Sequence, residues 1–177
     1  MSLLADAVRV LAARGIEHAI IGAAALAAHG VARATSDLDL LVTDPACLDE
    51  ALWTPLRAAG ASVDLRRGDA ADPLAGVIRI RQKEEATLDV IVGRHRWQAD
   101  ALRRALPTRI GDTDVPAVTA ADLVLLKLYA GGPQDAWDID QLLDAEHSLA
   151  SEVETRLAAL PADCAALWRR ILEQRSG

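Results

Sequence analysis

The chain has 177 residues, 51% of them apolar and 25% charged, ordinary values for one globular domain that exclude a disordered, collagenous or low-complexity protein. Twenty-six acids against nineteen bases give a net charge of −7, so the overall field repels polyanions and a nucleic-acid partner must be held by a local patch. Two cysteines without metal-ligand spacing, Cys47 and Cys164, and no apolar run of the ~18 residues that a membrane span needs, predict a cytoplasmic protein with no disulfide framework and no membrane partner.

Leu3, Ala7, Val10, Leu11 and Arg14 recur on a helical period, so a first helix is predicted over Ser2 to Arg14, ended by Gly15. Glu17 to Ile21 reads as a short strand, Gly22 as a turn, and the alanine-rich Ala23 to His29 as a helix. Thr35 to Val42 alternates Asp37 and Asp39 against Leu38 and Leu40, the strongest strand pattern in the chain. Asp44-Pro45 then predicts the start of a helix through Arg57 or Ala59.

Strands are expected at Ser62 to Arg66, Gly76 to Gln82 and in "ATLDVIVG", the last carrying Asp89 inside an apolar run. Trp97 to Leu106 reads as a helix and Thr108 to Val118, with its "GDTD" turn, as a small hairpin or a pair of extended segments. From Thr119 onward the pattern is helical only: Thr119 to Gly131, Pro133 to Ala145, Ser148 to Leu160 and Ala162 to Gln174. The expected division is a core over residues 1–118 and a helical region over 119–177 packed on it as one compact unit.

Strand side chains alternate faces, so Asp37 and Asp39 point to the same side. Two carboxylates in one small space need a compensating cation, and a buried Asp89 on a neighbouring strand would complete an oxygen-ligand set suited to Mg²⁺. An Asp-X-Asp pair alone is common at sheet edges. What sharpens it is Gly22, which stands 15 residues upstream, between strand and helix, where glycine lets a phosphate approach the backbone closely. Only two lysines, Lys83 and Lys127, accompany seventeen arginines, which draws attention to Lys127 on its amphipathic helix, although a snorkelling surface lysine would look the same. His29 reads as a helix-end packing residue, and Asp135 and Asp138 as acids favoured at a helix start. Arg79 and Arg81, beside the Asp89 strand, could line a local channel for RNA.

The stretch "IIGAAALAAHGVARATSDLDLLV", residues 20–42, resembles the signature of the nucleotidyltransferase superfamily, and within it small bacterial proteins related to AbiEii-type toxins. "LVLLKLYAGGPQDAWDIDQLL", residues 123–143, resembles a second motif of the same group. The resemblance implies an α/β fold: a mixed sheet of the nucleotidyltransferase type flanked by helices, with a helical C-terminal layer. It implies an enzyme that moves a nucleoside monophosphate from a nucleoside triphosphate such as ATP to a hydroxyl by two-metal chemistry with two Mg²⁺ ions. Asp37, Asp39 and Asp89 would bind metal, Gly22, Ala23, Arg33 and Lys127 would contact the triphosphate, and Asp135 and Asp138 would orient Lys127 or cap their helix. The group further implies a toxin of a toxin–antitoxin pair, acting on tRNA and partnered by an antitoxin protein. Two alternatives stay open: transfer to an aminoglycoside- or lincosamide-type antibiotic, and a catalytically weak nucleotide-binding partner module. Ala23, where relatives carry Gly or Ser, and Gly132 and Gln134, where many are basic, are departures from the pattern.

Overall fold

The computed structural model describes residues 2–33 and 37–176. The chain begins with α1 (Leu3–Ala13), β1 (His18–Ile21), α2 (Gly22–Ala28) and β2 (Asp37–Val42). Thr35 and Ser36, which the sequence pattern assigns to the start of β2, lie outside the described residues. The helix expected over 44–59 is instead two 3-10 turns, Pro45–Leu48 and Glu50–Trp53, followed by the short α3 (Thr54–Ala58). The reason is local. Asp44 and Asp49 both hold extended backbone and each accepts a hydrogen bond from the amide two residues on, so each restarts a turn and no helix runs through. Trp53 is fully buried behind these turns and donates its indole N–H to the Cys47 carbonyl at 2.8 Å. Cys47 and Cys164 are buried free thiols.

Next come β3 (Ser62–Arg67), β4 (Gly76–Arg81), β5 (Thr87–Val92), α4 (Arg96–Arg103), β6 (Leu106–Ile110) and β7 (Thr113–Ala117). Leu106, expected to end a helix, opens β6 instead, because Arg104 caps α4. The strands form one mixed sheet in the order β3-β4-β5-β2-β1-β7-β6, in which β2 runs parallel to β5 and β1 parallel to β7. Leu40, Val42, Ile78, Ile80, Leu88, Val90 and Val92 are at most 1% exposed and fill the side of the sheet opposite Asp37, Asp39 and Asp89. Leu40 to Val42 are all buried whereas Asp37 is exposed, so β2 emerges from the interior at its N-terminal end.

The remaining elements are α5 (Ala120–Ala130), α6 (Pro133–Ala145), α7 (Leu149–Arg156) and α8 (Ala162–Ser176). Thr119 caps α5 by accepting from the Asp122 amide, and Gly131 ends it at a φ of 69°, a left-handed conformation that glycine adopts without strain. Asp122, fully buried, accepts two bonds from Arg104 at 3.0 and 2.6 Å, one from the Thr119 hydroxyl, and an ion pair from Arg156 at 3.2 Å, tying α4, α5 and α7 together. One apolar cluster runs from Leu3 through the sheet to Ile171. The protein is thus an α/β protein with a mixed sheet, flanking helices and a C-terminal helical layer. Among the described residues no helix is long and apolar enough to cross a membrane.

Candidate active site

The strand order assembles the site. β1, β2, β5, β4 and β3 are successive neighbours, and their register sets Ile21 opposite Asp39, Asp39 opposite Asp89, Asp89 opposite Arg79, and Arg79 opposite Asp64. Asp37, two residues before Asp39, shares its face of the sheet. Asp39 therefore lies between two other carboxylates.

Burial acts first on the Asp39 carboxyl, and Asp89 and Asp37 add repulsion. Together they raise its pKa from 3.8 to about 6, against a smaller opposing pull from Lys127 and Arg33. Gly22 stands directly against it. The glycine has a φ of 63°, and a Cβ there would fall 2.2 Å from the Asp39 Oδ2 atom. Gly22→Ala is consequently expected to lower the melting temperature, at a cost of about 1–3 kcal/mol for backbone strain, and to push the Asp39 carboxylate aside. Calorimetry checks this, and an unaltered melting temperature would refute the close packing.

Asp89 is buried and held by Arg79, whose Nε donates to Oδ1 at 2.8 Å and Nη2 to Oδ2 at 2.6 Å. The bidentate fork fixes the carboxylate plane. This pairing ties two of the five Arg79 donors to the carboxylate row. It was legible in principle, because a hairpin centred on Glu84 sets Arg79 opposite Asp89.

Lys127 is not a surface lysine. It is 5% exposed, and its Nζ donates to Asp135 at 3.2 Å and to Asp138 at 2.5 Å. Asp138 is fully buried and also accepts from Arg33 at 2.8 Å and from Gln134 at 3.4 Å. Arg33 thus pairs with α6. Asp135 orients Lys127 and also accepts from the Gly132 amide at the start of α6. His29 is a packing residue, its Nε2 bonded to the Val118 carbonyl at 2.8 Å. Ala23 is buried in α2 directly after Gly22.

Among the described residues no three His, Cys, Asp or Glu side chains converge on one ion position, Asp89 being turned toward Arg79. The donor set nonetheless suits a hard divalent cation. It is anionic and built of oxygen, and its central carboxyl is held in its protonated form up to about pH 6 first by burial and then by repulsion from Asp89 and Asp37, a repulsion that a cation would relieve.

Several solved structures share the fold. The antibiotic-resistance factor ANT(2'')-Ia aligns over 92% of this chain and 91% of its own, with a TM-score of 0.56 and 19% identity. An antigenic nucleotidyltransferase-like protein from Paracoccidioides brasiliensis aligns over 94% and 90%, with a TM-score of 0.52 and 16% identity. The lincosamide antibiotic adenylyltransferase LnuA, solved with lincomycin, aligns over 81% and 96%, with a TM-score of 0.51 and 10% identity. No curated protein sequence matches the chain. Residues 1–161 match the profile of the family described as "Nucleotidyl transferase of unknown function (DUF2204)", and the chain belongs to that family of nucleotidyl transferases.

Proposed function

We propose that the protein transfers a nucleoside monophosphate from a nucleoside triphosphate to a hydroxyl acceptor at the Gly22, Asp39 and Asp89 row. The observation that carries this reading is the crowding of Asp39, between two carboxylates and against a glycine backbone, with its pKa raised to about 6. Asp37, Asp39 and Asp89 would hold magnesium as two ions, which supply charge neutralisation on the triphosphate and a lowered pKa for the attacking hydroxyl when bound. The backbone at Gly22 and Ala23 would contact the triphosphate, as the first amides of a helix lack partners within it. Arg33 and Lys127 place positive charge beside Asp39, and Asp138 sets where that charge sits.

The reading is tested by pyrophosphate release from ATP, GTP, CTP and UTP with a pool of hydroxyl acceptors. Release that needs both magnesium and Asp39 supports transfer. Nucleotide binding without release in any pool supports instead a binding module without turnover.

A pH dependence follows from the raised carboxyl. A proton and a divalent ion compete for Asp39, so magnesium is expected to raise the melting temperature at pH 7.5 and to do little at pH 5, below the folded-state pKa of about 6. Thermal melts with and without magnesium chloride at the two values check this. An equal shift at both would exclude Asp39 from the ion's ligands.

A further inference from the structure

Beyond Arg79 the active face of the sheet continues into a walled cavity. It encloses about 420 Å³ between β3, β4 and the loop 68–74, lined among others by Asp64, Arg66, Asp72, Leu74, Val77 and Arg79. Such a volume suits a small molecule or the terminal unit of a polymer. The outer wall is built rather than loose. Arg94 donates to the carbonyls of Asp69, Ala70 and Leu74 at 2.8, 3.4 and 2.7 Å. The Tyr129 hydroxyl, itself bonded to His95, donates to the Pro73 carbonyl at 3.3 Å. A Cβ on Gly68 would meet the Leu74 carbonyl at 2.3 Å, so the loop closes on itself.

The charge of this cavity departs from that of the molecule. On a chain of net charge −7 its lining carries three arginines against two carboxylates. Arg66 is only loosely engaged: its guanidinium lies 3.6 Å from Asp64 and the side chain is 82% exposed. Arg79 spends two of its five donors on Asp89, and the same guanidinium lines the cavity. Arg79 therefore joins the cavity to the carboxylate row. Leu74, Val77 and Pro73 give it an apolar floor and wall against which a sugar or base can lie.

Resting on the nucleotidyl transfer reading, we propose that this cavity is the acceptor subsite and that it takes a hydroxyl acceptor bearing a phosphate group, bound between Arg66 and Arg79. The acceptor oxygen attacks the α-phosphorus and forms a new O–P bond, the α–β bridging P–O bond breaks, pyrophosphate leaves with that electron pair, and the hydroxyl proton passes to a carboxylate of the row. A cationic acceptor would face guanidinium groups here, whereas a phosphate finds the Arg66 fork and the three Arg79 donors that Asp89 does not take. The phosphate could belong to a small sugar phosphate or to the last linkage of an RNA strand.

The test is a titration of the isotope-labelled protein followed by amide resonances, with ribose 5-phosphate, a short RNA with a free 3′ hydroxyl, uncharged ribose, and tobramycin as probes. A phosphate probe is expected to shift the Gly68, Gly76 and Val77 signals saturably, ribose to leave them in place, and Arg66→Glu to weaken the effect at least tenfold. Tighter saturation by the sugar phosphate or by the RNA identifies the source. Failure of both phosphate probes, equal binding by Arg66→Glu, or tobramycin as the preferred occupant overturns the proposal. A parallel titration with magnesium and ATP, followed at Gly22 and Asp39, separates the two levels. If ATP binds and the phosphate probes do not, only the acceptor assignment falls. If ATP does not bind, the transfer reading fails, and with it any acceptor role for a phosphate bound in the cavity.

Discussion

Replacing Asp39 with asparagine is expected to reduce nucleotidyl transfer by about 10³-fold or more while raising the melting temperature at pH 7.5. The two effects have one origin. The Asp39 carboxylate is partly desolvated and repelled by Asp89 and Asp37, so its pKa in the folded chain is raised from 3.8 to about 6. A carboxyl whose folded pKa is raised favours the folded state while protonated, and that contribution is lost as pH climbs from about 4 through about 6. At pH 7.5 the metal-free protein carries the full penalty, and a neutral amide of the same shape removes it. The same change removes the central anionic ligand. Losing about 4 kcal/mol of transition-state stabilisation at a metal-assisted phosphoryl centre corresponds to about 10³ in rate. Calorimetry and turnover measured on one preparation check both signs. A fall in melting temperature would show that Asp39 stabilises the fold rather than straining it.

The largest effect on stability is expected at Asp138. This carboxylate is fully buried and accepts from Lys127, Arg33 and Gln134. Asp138→Ala would leave the Lys127 ammonium, itself 5% exposed, with only the longer bond to Asp135. Removing one partner of a buried ion pair costs about 3–5 kcal/mol, which for a chain of this size lowers the melting temperature by about 10 °C. Replacing both charges, as in Lys127→Met with Asp138→Leu, is expected to recover most of that loss, because the buried ammonium and the buried carboxylate are removed together and the partners they leave, Arg33 and Asp135, are 34% and 24% exposed and reach water. The double variant would also separate stability from chemistry. If it folds as well as the wild type and still turns over, Lys127 serves the fold alone. If it folds and is inactive, the positive charge beside Asp39 is part of the reaction.

What could be read from the sequence followed from short periods. The two-residue alternation of Asp37 and Asp39 against Leu38 and Leu40 fixed both the strand and the shared face, and the glycine at 22 marked the turn that the Asp39 carboxylate packs against. Asp89 in an apolar strand was visible for the same reason: a carboxylate there demands a partner. The identity of that partner needs one step more, the centring of the β4–β5 hairpin, which alternation alone does not supply. Arg79 meets Asp89 only because β4 and β5 pair around Glu84, and Arg33 meets Asp138 across 105 positions of chain. Helical pattern over 44–59 also misled, since two aspartates that each cap their own turn compete with helix continuation more strongly than apolar spacing favours it. Lys127 shows the limit most plainly. On a helical wheel it reads as amphipathic surface, and only the docking of α6 onto α5 buries it between two carboxylates.

Whether the triphosphate is cleaved between its α- and β-phosphates is the question on which the account stands. The direct measurement is parallel incubation of the protein and magnesium with α-labelled and γ-labelled nucleoside triphosphate, in the presence of phosphate-bearing hydroxyl acceptors. The account predicts that the α-label moves to the acceptor, that the γ-label appears only in pyrophosphate, and that both signals vanish with Asp39→Asn. Transfer of the γ-label to the acceptor, or α-label transfer that persists without Asp39, would contradict it.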